Sequence, residues 1–127
     1  MTDMKAPLAK VRGLGSAKNG THHWWMHRVT ALANIPLVIF VVISFMGNLH
    51  KGYADWVAWL QQPVAAVVMV LFVANICYHM RLGLQVLIED YVTNKTNKVA
   101  AMMAVSFGII LMAGLGIFSI LKIAFGG

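Results

Sequence analysis

Apolar residues fill three long stretches of the chain, and polar residues are largely confined to what separates them. The first apolar run extends from about Val29 to Leu49, the second from about Val64 to Ile88, and the third from about Val99 to Phe125. Each reaches the roughly 20 residues that an α-helix needs to cross about 30 Å of hydrocarbon. In hydrocarbon a backbone must satisfy its own N–H and C=O groups, so apolar runs of this length predict helices. The expected fold is an all-α membrane protein, a single membrane domain over residues 1–127. It comprises three transmembrane helices, at about 29–49, 64–88 and 99–125, behind an N-terminal arm at 1–28.

The segments between the runs refine this picture. Residues 1–20 are polar and glycine-bearing, which suits a surface-lying arm, and they contain no apolar core of a cleavable signal. The stretch T-H-H-W-W-M at 21–26 carries paired tryptophans, whose apolar rings and N–H groups suit headgroup depth. Pro36 falls inside the first run, where a bundle tolerates the kink a proline brings. Residues 50–62 read as a loop lying along the opposite interface on Tyr53, Trp56 and Trp59. Pro63 suits the first turn of the second helix, where its missing N–H is not needed. T-N-K-T-N-K at 93–98 is a short polar turn, and Ala104, Gly108, Gly114 and Gly116 offer small residues for close helix approach.

Composition agrees with a lipid-solvated chain. The protein is 60% hydrophobic and 11% charged, with a mean hydropathy of +0.75. The single cysteine, Cys77, excludes an internal disulfide and a cysteine-ligated cluster within this chain. The net charge of +6 comes without aromatic–basic alternation, so no nucleic-acid partner is expected; the basic residues flank apolar spans beside a lipid bilayer. Lys5, Lys10, Arg12, Lys18 and Arg28 precede the first run, and Lys95 and Lys98 lie in the second turn. The first loop has only Lys51 and the C-terminal end only Lys122. The positive-inside bias then puts the N-terminus and the 93–98 turn on the cytoplasmic (or matrix) side and the C-terminus opposite. Location in a cell inner membrane, multi-pass, is expected ahead of a mitochondrial one. By span counting, Arg28 and Asp90–Tyr91 fall at one membrane face.

The chemistry concentrates at Tyr78–Val92, Y-H-M-R-L-G-L-Q-V-L-I-E-D-Y-V. His79 lies eleven residues before Asp90, about 16 Å along a helix, well inside the hydrocarbon. An ionisable group at that depth is a functional candidate by default, as a metal or haem ligand, against the plainer reading of an imidazole hydrogen-bonded to a neighbouring helix. Gly83, one turn on, clears space for a flat macrocycle or merely permits helix contact. Asn75 and Asp90 share that face. Arg81, Gln85 and Glu89 form a second stripe whose charges are expected to snorkel to the interface and relieve one another. His22, His23, His27 and His50 lie at or beyond span ends, so a low-spin haem on His79 would take its second ligand from another chain. Tyr91 and Asp90 suit a quinone, the phenol donating to a carbonyl and the carboxylate orienting it or passing protons; a plain interface anchor is the alternative. Arg28 suits haem propionates or negative charge on a bound quinone, against simple positive-inside flanking. A different class, a non-redox scaffold or small transporter subunit with His79 as packing or proton-relay group, stays open on these residues alone.

The segments G-L-G-S-A-K-N-G-T-H-H-W-W-M-H-R-V-T-A at 13–31 and H-M-R-L-G-L-Q-V-L-I-E-D-Y-V at 79–92 narrow the choice. With three spans and this length, the chain resembles the hydrophobic membrane-anchor subunits of succinate dehydrogenase, over nearly its whole length. The resemblance implies that His79 is an axial ligand of haem b, shared with a second, cytochrome b anchor subunit. It implies that Tyr91, aided by Asp90, contacts ubiquinone, and that Arg28 lies near the haem propionates and quinone. Flavin, iron–sulfur clusters and succinate would sit on a flavoprotein subunit and an iron–sulfur subunit. This chain would have no catalytic activity alone, and would belong to a succinate:quinone oxidoreductase that passes electrons to quinone.

Overall fold

A computed structural model describes residues 18–126. The described residues form four helices and no strand: α1 Lys18–Asn48, α2 Tyr53–Leu60, α3 Pro63–Tyr91 and α4 Lys95–Ala124. The three long helices each carry a stretch apolar and long enough to cross a membrane, at Gly20–Asn48, Pro63–Tyr91 and Lys95–Ala124. The all-α, three-span architecture is thus as expected. The N-terminal arm up to residue 17 lies outside the described residues.

Two boundaries differ from the sequence reading. Helix α1 begins at Lys18, well before Val29. The T-H-H-W-W-M-H-R stretch is polar and aromatic, and so looks interfacial. Between Thr21 and Leu32, however, it contains neither proline nor glycine, and nothing stops the helix from running through it. The segment at 50–62 is not a plain loop, because Tyr53–Leu60 is helical. The Asp55 carboxylate accepts the Gly52 N–H at 3.2 Å, which closes the first turn. Trp56 meets Phe45 edge-on at 4.9 Å and Trp59 stacks with Phe40 at 6.3 Å, fastening α2 against the end of α1.

Local sequence explains the remaining ends. Pro63 occupies the first turn of α3. Asn94 caps α4, its side-chain oxygen accepting from Thr96 N at 2.9 Å and Asn97 N at 3.4 Å. Lys98 donates to the Glu89 carbonyl at 3.4 Å, serving one of the free acceptors near the end of α3. Pro36 sits within α1 and denies Leu32 its usual backbone donor.

Helix α3 is the central element, packed on α1 along one side and on α4 along the other. Among the described residues the buried apolar ones are few: Ala65, Ala66, Cys77 and Leu82 of α3, with Ile109 and Ile120 of α4. Cys77 is a free thiol. Leu32, Ile35, Ile39, Phe107, Ile110 and Leu111 point outward. Such an inside-out distribution is stable only where lipid or another apolar chain replaces water, since lipid gives apolar side chains no reason to hide. Gly116 is where the helices press closest: a Cβ there would lie 3.2 Å from Val73 Cγ1. Gly108 and Gly114 face open space, so of the three glycines of α4 only Gly116 serves helix contact within this chain.

Candidate functional site: a polar seam between the first and second spans

Two helices buried in hydrocarbon have few ways to hold each other, and polar side chains hydrogen-bonded across the gap are one. On α1, His27, Thr30 and Asn34 recur at i, i+3 and i+7, which places them on one face. On α3, Asn75 and His79 recur at i and i+4, also one face. The two faces meet. Asn75 Nδ2 donates to Asn34 Oδ1 at 2.6 Å and to the Thr30 carbonyl at 3.0 Å. Thr30 Oγ1 and His79 Nδ1 are 2.9 Å apart. The His27 ring stacks on the His79 ring at 4.7 Å between centroids and 18° between planes. His23 continues the series, 6.3 Å from His27.

His79 is therefore held on two sides by α1, by a hydroxyl at Nδ1 and by an imidazole on its face. Its other nitrogen, Nε2, takes no hydrogen bond among the described residues. A Cβ built on Gly83 meets nothing within 4 Å, so the flank one turn from His79 is open. A ring with one nitrogen tied and the other free, beside a cleared flank, fits an axial haem ligand. Among the described residues no group of three or more His, Cys, Asp or Glu gathers as a self-contained metal site. Any iron on His79 then needs a ligand from elsewhere.

The seam also fixes depth. Thr30 opposite His79 and Asn34 opposite Asn75 set an antiparallel register. Arg28, beside His27, is level with His79 along that register. Asp90 and Tyr91 lie eleven and twelve residues beyond His79, about 16–18 Å further on, level with the first turn of α1. Arg28 and Asp90–Tyr91 are consequently at two depths, contrary to span counting, because α1 starts earlier than hydropathy suggests. The Arg28 guanidinium reaches back over the Trp24 ring, 5.2 Å from its centroid, toward the Asp90–Tyr91 end. Tyr91 is 80% exposed and Asp90 is exposed, a free acid–phenol pair at the end of α3.

The stripe along the other side of α3 divides. Gln85 donates to Glu89 at 2.9 Å, as its spacing suggested. Arg81 does not snorkel to join them; its Nε donates to Ser106 Oγ on α4 at 3.2 Å. The hydroxyl of the neighbouring helix is nearer than the interface. Thr30, Asn34 and the Ser106 partner of Arg81 are the residues that sequence reasoning passed over, and His27, expected at a span end, instead stacks on His79. The signal was present in the two polar stripes at helical spacing, each in an otherwise apolar helix.

The description of the succinate dehydrogenase/fumarate reductase transmembrane subunit family matches residues 2–116. The chain belongs to that family. It is similar to the succinate dehydrogenase hydrophobic membrane anchor subunit of Rickettsia bellii (strain RML369-C), 31% identical over 91 residues, 72% of this chain and 73% of that one. The subunit of the same description from Rickettsia conorii (strain ATCC VR-613 / Malish 7) is 33% identical over 92 residues, 72% of this chain and 73% of its own. That of Paracoccus denitrificans is 31% identical over 102 residues, 80% of this chain and 79% of its own. No solved structure matches. As a family member with three apolar spans, the chain is a membrane-anchor subunit of succinate dehydrogenase, multi-pass in the inner membrane and without catalytic activity of its own.

Proposed function

We propose that this anchor subunit, with a second, cytochrome b anchor subunit, binds haem b and ubiquinone and passes to quinone the electrons of succinate oxidation. The observation that carries this reading is the state of His79: Nδ1 engaged by Thr30, the ring face covered by His27, and Nε2 without a hydrogen bond among the described residues. Bound there, a b-type haem supplies a one-electron carrier within the membrane. His79 would hold its iron through one nitrogen, and the partner anchor would supply the other. Arg28, level with His79 and carried on α1, is the cation for the haem propionates or for quinone, and Trp24 holds its guanidinium extended along the helix. Asp90 and Tyr91, exposed at the end of α3, take the quinone: the phenol donates to a quinone carbonyl, and the carboxylate orients it or hands on a proton.

A flavoprotein subunit and an iron–sulfur subunit dock on the face that carries the N-terminal arm and the 93–98 turn. In sequence, residues 1–20 and 93–98 carry six of the ten basic residues, which the positive-inside bias assigns to the cytoplasm. Purification of the complex in mild detergent, with partner identification and an absorbance spectrum, tests the assembly. Replacement of His79 in that complex is expected to remove or weaken a bis-imidazole haem spectrum. An assembled His79 variant with unchanged haem bands would reject the ligand assignment.

A further inference from the structure

We propose that Thr30 is the positioning residue that sets the tautomer and direction of His79; the inference rests on the reading of His79 as a haem ligand. Thr30 is 5% exposed, one of the most enclosed side chains among the described residues. Its hydroxyl has three neighbours: the Met26 carbonyl at 2.7 Å, the His27 carbonyl at 3.2 Å and His79 Nδ1 at 2.9 Å.

A hydroxyl has one proton to give and two lone pairs to offer. Carbonyl oxygens only accept, and 2.7 Å is the ordinary length of an O–H···O bond. If the proton pointed at His79 instead, the hydroxyl oxygen and the Met26 oxygen would face each other at that distance with nothing between them. The proton therefore goes to Met26, the usual back-bond of a threonine to the turn before it. Toward His79 the hydroxyl offers a lone pair, so Nδ1 must carry the ring proton and donate it. In a neutral imidazole the other nitrogen is then a bare lone pair. Nε2 is left as the nitrogen that can bind iron.

The neighbouring bonds keep this arrangement in place. Asn75, one turn before His79, holds both the Thr30 carbonyl and Asn34, and so locks α1 and α3 at the register that brings the hydroxyl under the ring. His27 restricts rotation of the imidazole by lying flat on it. An N–H donated to a fixed acceptor also makes the opposite nitrogen a stronger donor to metal, which favours the oxidised iron. Loss of the acceptor should weaken that preference.

The test uses the whole complex purified in mild detergent, with Thr30→Val and Thr30→Ser. Valine keeps the shape and removes the hydroxyl; serine keeps the hydroxyl. Thr30→Val is expected to lower haem affinity about 10-fold or more, the usual cost of losing such a partner. In the haem retained, the midpoint potential should move upward and the low-spin electron paramagnetic resonance signal should shift. Thr30→Ser should restore all three. Should the valine variant fail to assemble, Thr30→Ala removes the same hydroxyl with less bulk and is read in the same way. Wild-type affinity, potential and resonance in an assembled hydroxyl-less variant would overturn the proposal, as would a serine variant as damaged as the valine one. A His79 variant with unchanged haem bands would overturn the ligand reading and this inference together; unchanged Thr30 variants beside a changed His79 variant would overturn this inference alone.

Discussion

The ring of His27 lies flat on the ring of His79, 4.7 Å between centroids and 18° from parallel. Two imidazoles that share one iron approach it from opposite sides, nitrogen first, with the metal between them. A stacked pair presents face to face instead. His27 is thus a support for His79, and its stacked ring would not serve as second ligand to an iron held there, although both histidines reach the same depth.

That distinction is measurable. His27→Phe keeps an aromatic ring over His79, and His27→Ala removes it along with about 0.5–1.5 kcal/mol of ring–ring attraction. In the assembled complex, haem in both variants is expected to keep two imidazole ligands, with haem more easily lost from the alanine variant. Disappearance of the bis-imidazole spectrum from both would instead make His27 an iron ligand.

Asn75 is expected to be the strongest single clamp between α1 and α3, because it serves two acceptors at once. Asn75→Leu leaves Asn34 Oδ1 and the Thr30 carbonyl without that donor. Interhelical hydrogen bonds in membranes average about 0.6 kcal/mol and reach about 1.7, so a loss toward the upper figure is expected. The double variant with Asn34→Leu should recover part of it, since removing both partners strands fewer polar groups. Unfolding of the purified protein in detergent, analysed as a double-mutant cycle, measures the coupling. Purely additive losses would mean that the 2.6 Å contact contributes nothing.

How far the molecule was legible in its sequence follows from which physical signal each part emits. Three spans were legible because hydrocarbon thickness imposes a length on apolar runs. His79 stood out because an imidazole in oil is rare, and Asp90–Tyr91 because the second run stops there. What hydropathy hides is helix continuity. Residues 21–28 score as interfacial, so His27 and Arg28 look terminal, whereas helix α1 carries them to the depth of His79. The short helix at Tyr53–Leu60 was hidden for the opposite reason: its first turn is closed by a local Gly52–Asp55 bond that no hydropathy average registers. Partners such as Ser106 for Arg81 depend on the rotation of α4 about its axis, which no periodicity in α3 encodes.

Gly116 provides a check on the contact between α3 and α4. A Cβ there would approach Val73 Cγ1 to 3.2 Å, whereas one at Gly108 would meet nothing within 4 Å. Gly116→Leu should therefore destabilise by about 1–3 kcal/mol through overpacking. Gly108→Leu should stay within about 0.5 kcal/mol for the chain by itself, as for a surface position. Denaturant unfolding in the same detergent compares them directly. Equal effects at the two glycines would contradict the placement of α4.

Tyr91 carries the prediction closest to function. Its phenol is exposed at the end of α3, beside an exposed carboxylate and clear of the His27–Thr30–His79 seam. Tyr91→Phe removes the phenol proton proposed to meet the quinone and keeps the aromatic ring. A net hydrogen bond is about 0.5–1.5 kcal/mol, which is about 2- to 12-fold in an equilibrium or rate. Catalytic efficiency toward quinone is expected to fall by that factor. Succinate oxidation by an artificial dye that draws electrons from the soluble subunits should be unchanged, and so should the haem spectrum, since Tyr91 lies about 18 Å along the helix from His79. Equal loss of dye and quinone activity would mean that the variant had damaged assembly, and unchanged quinone kinetics would remove Tyr91 from the quinone site.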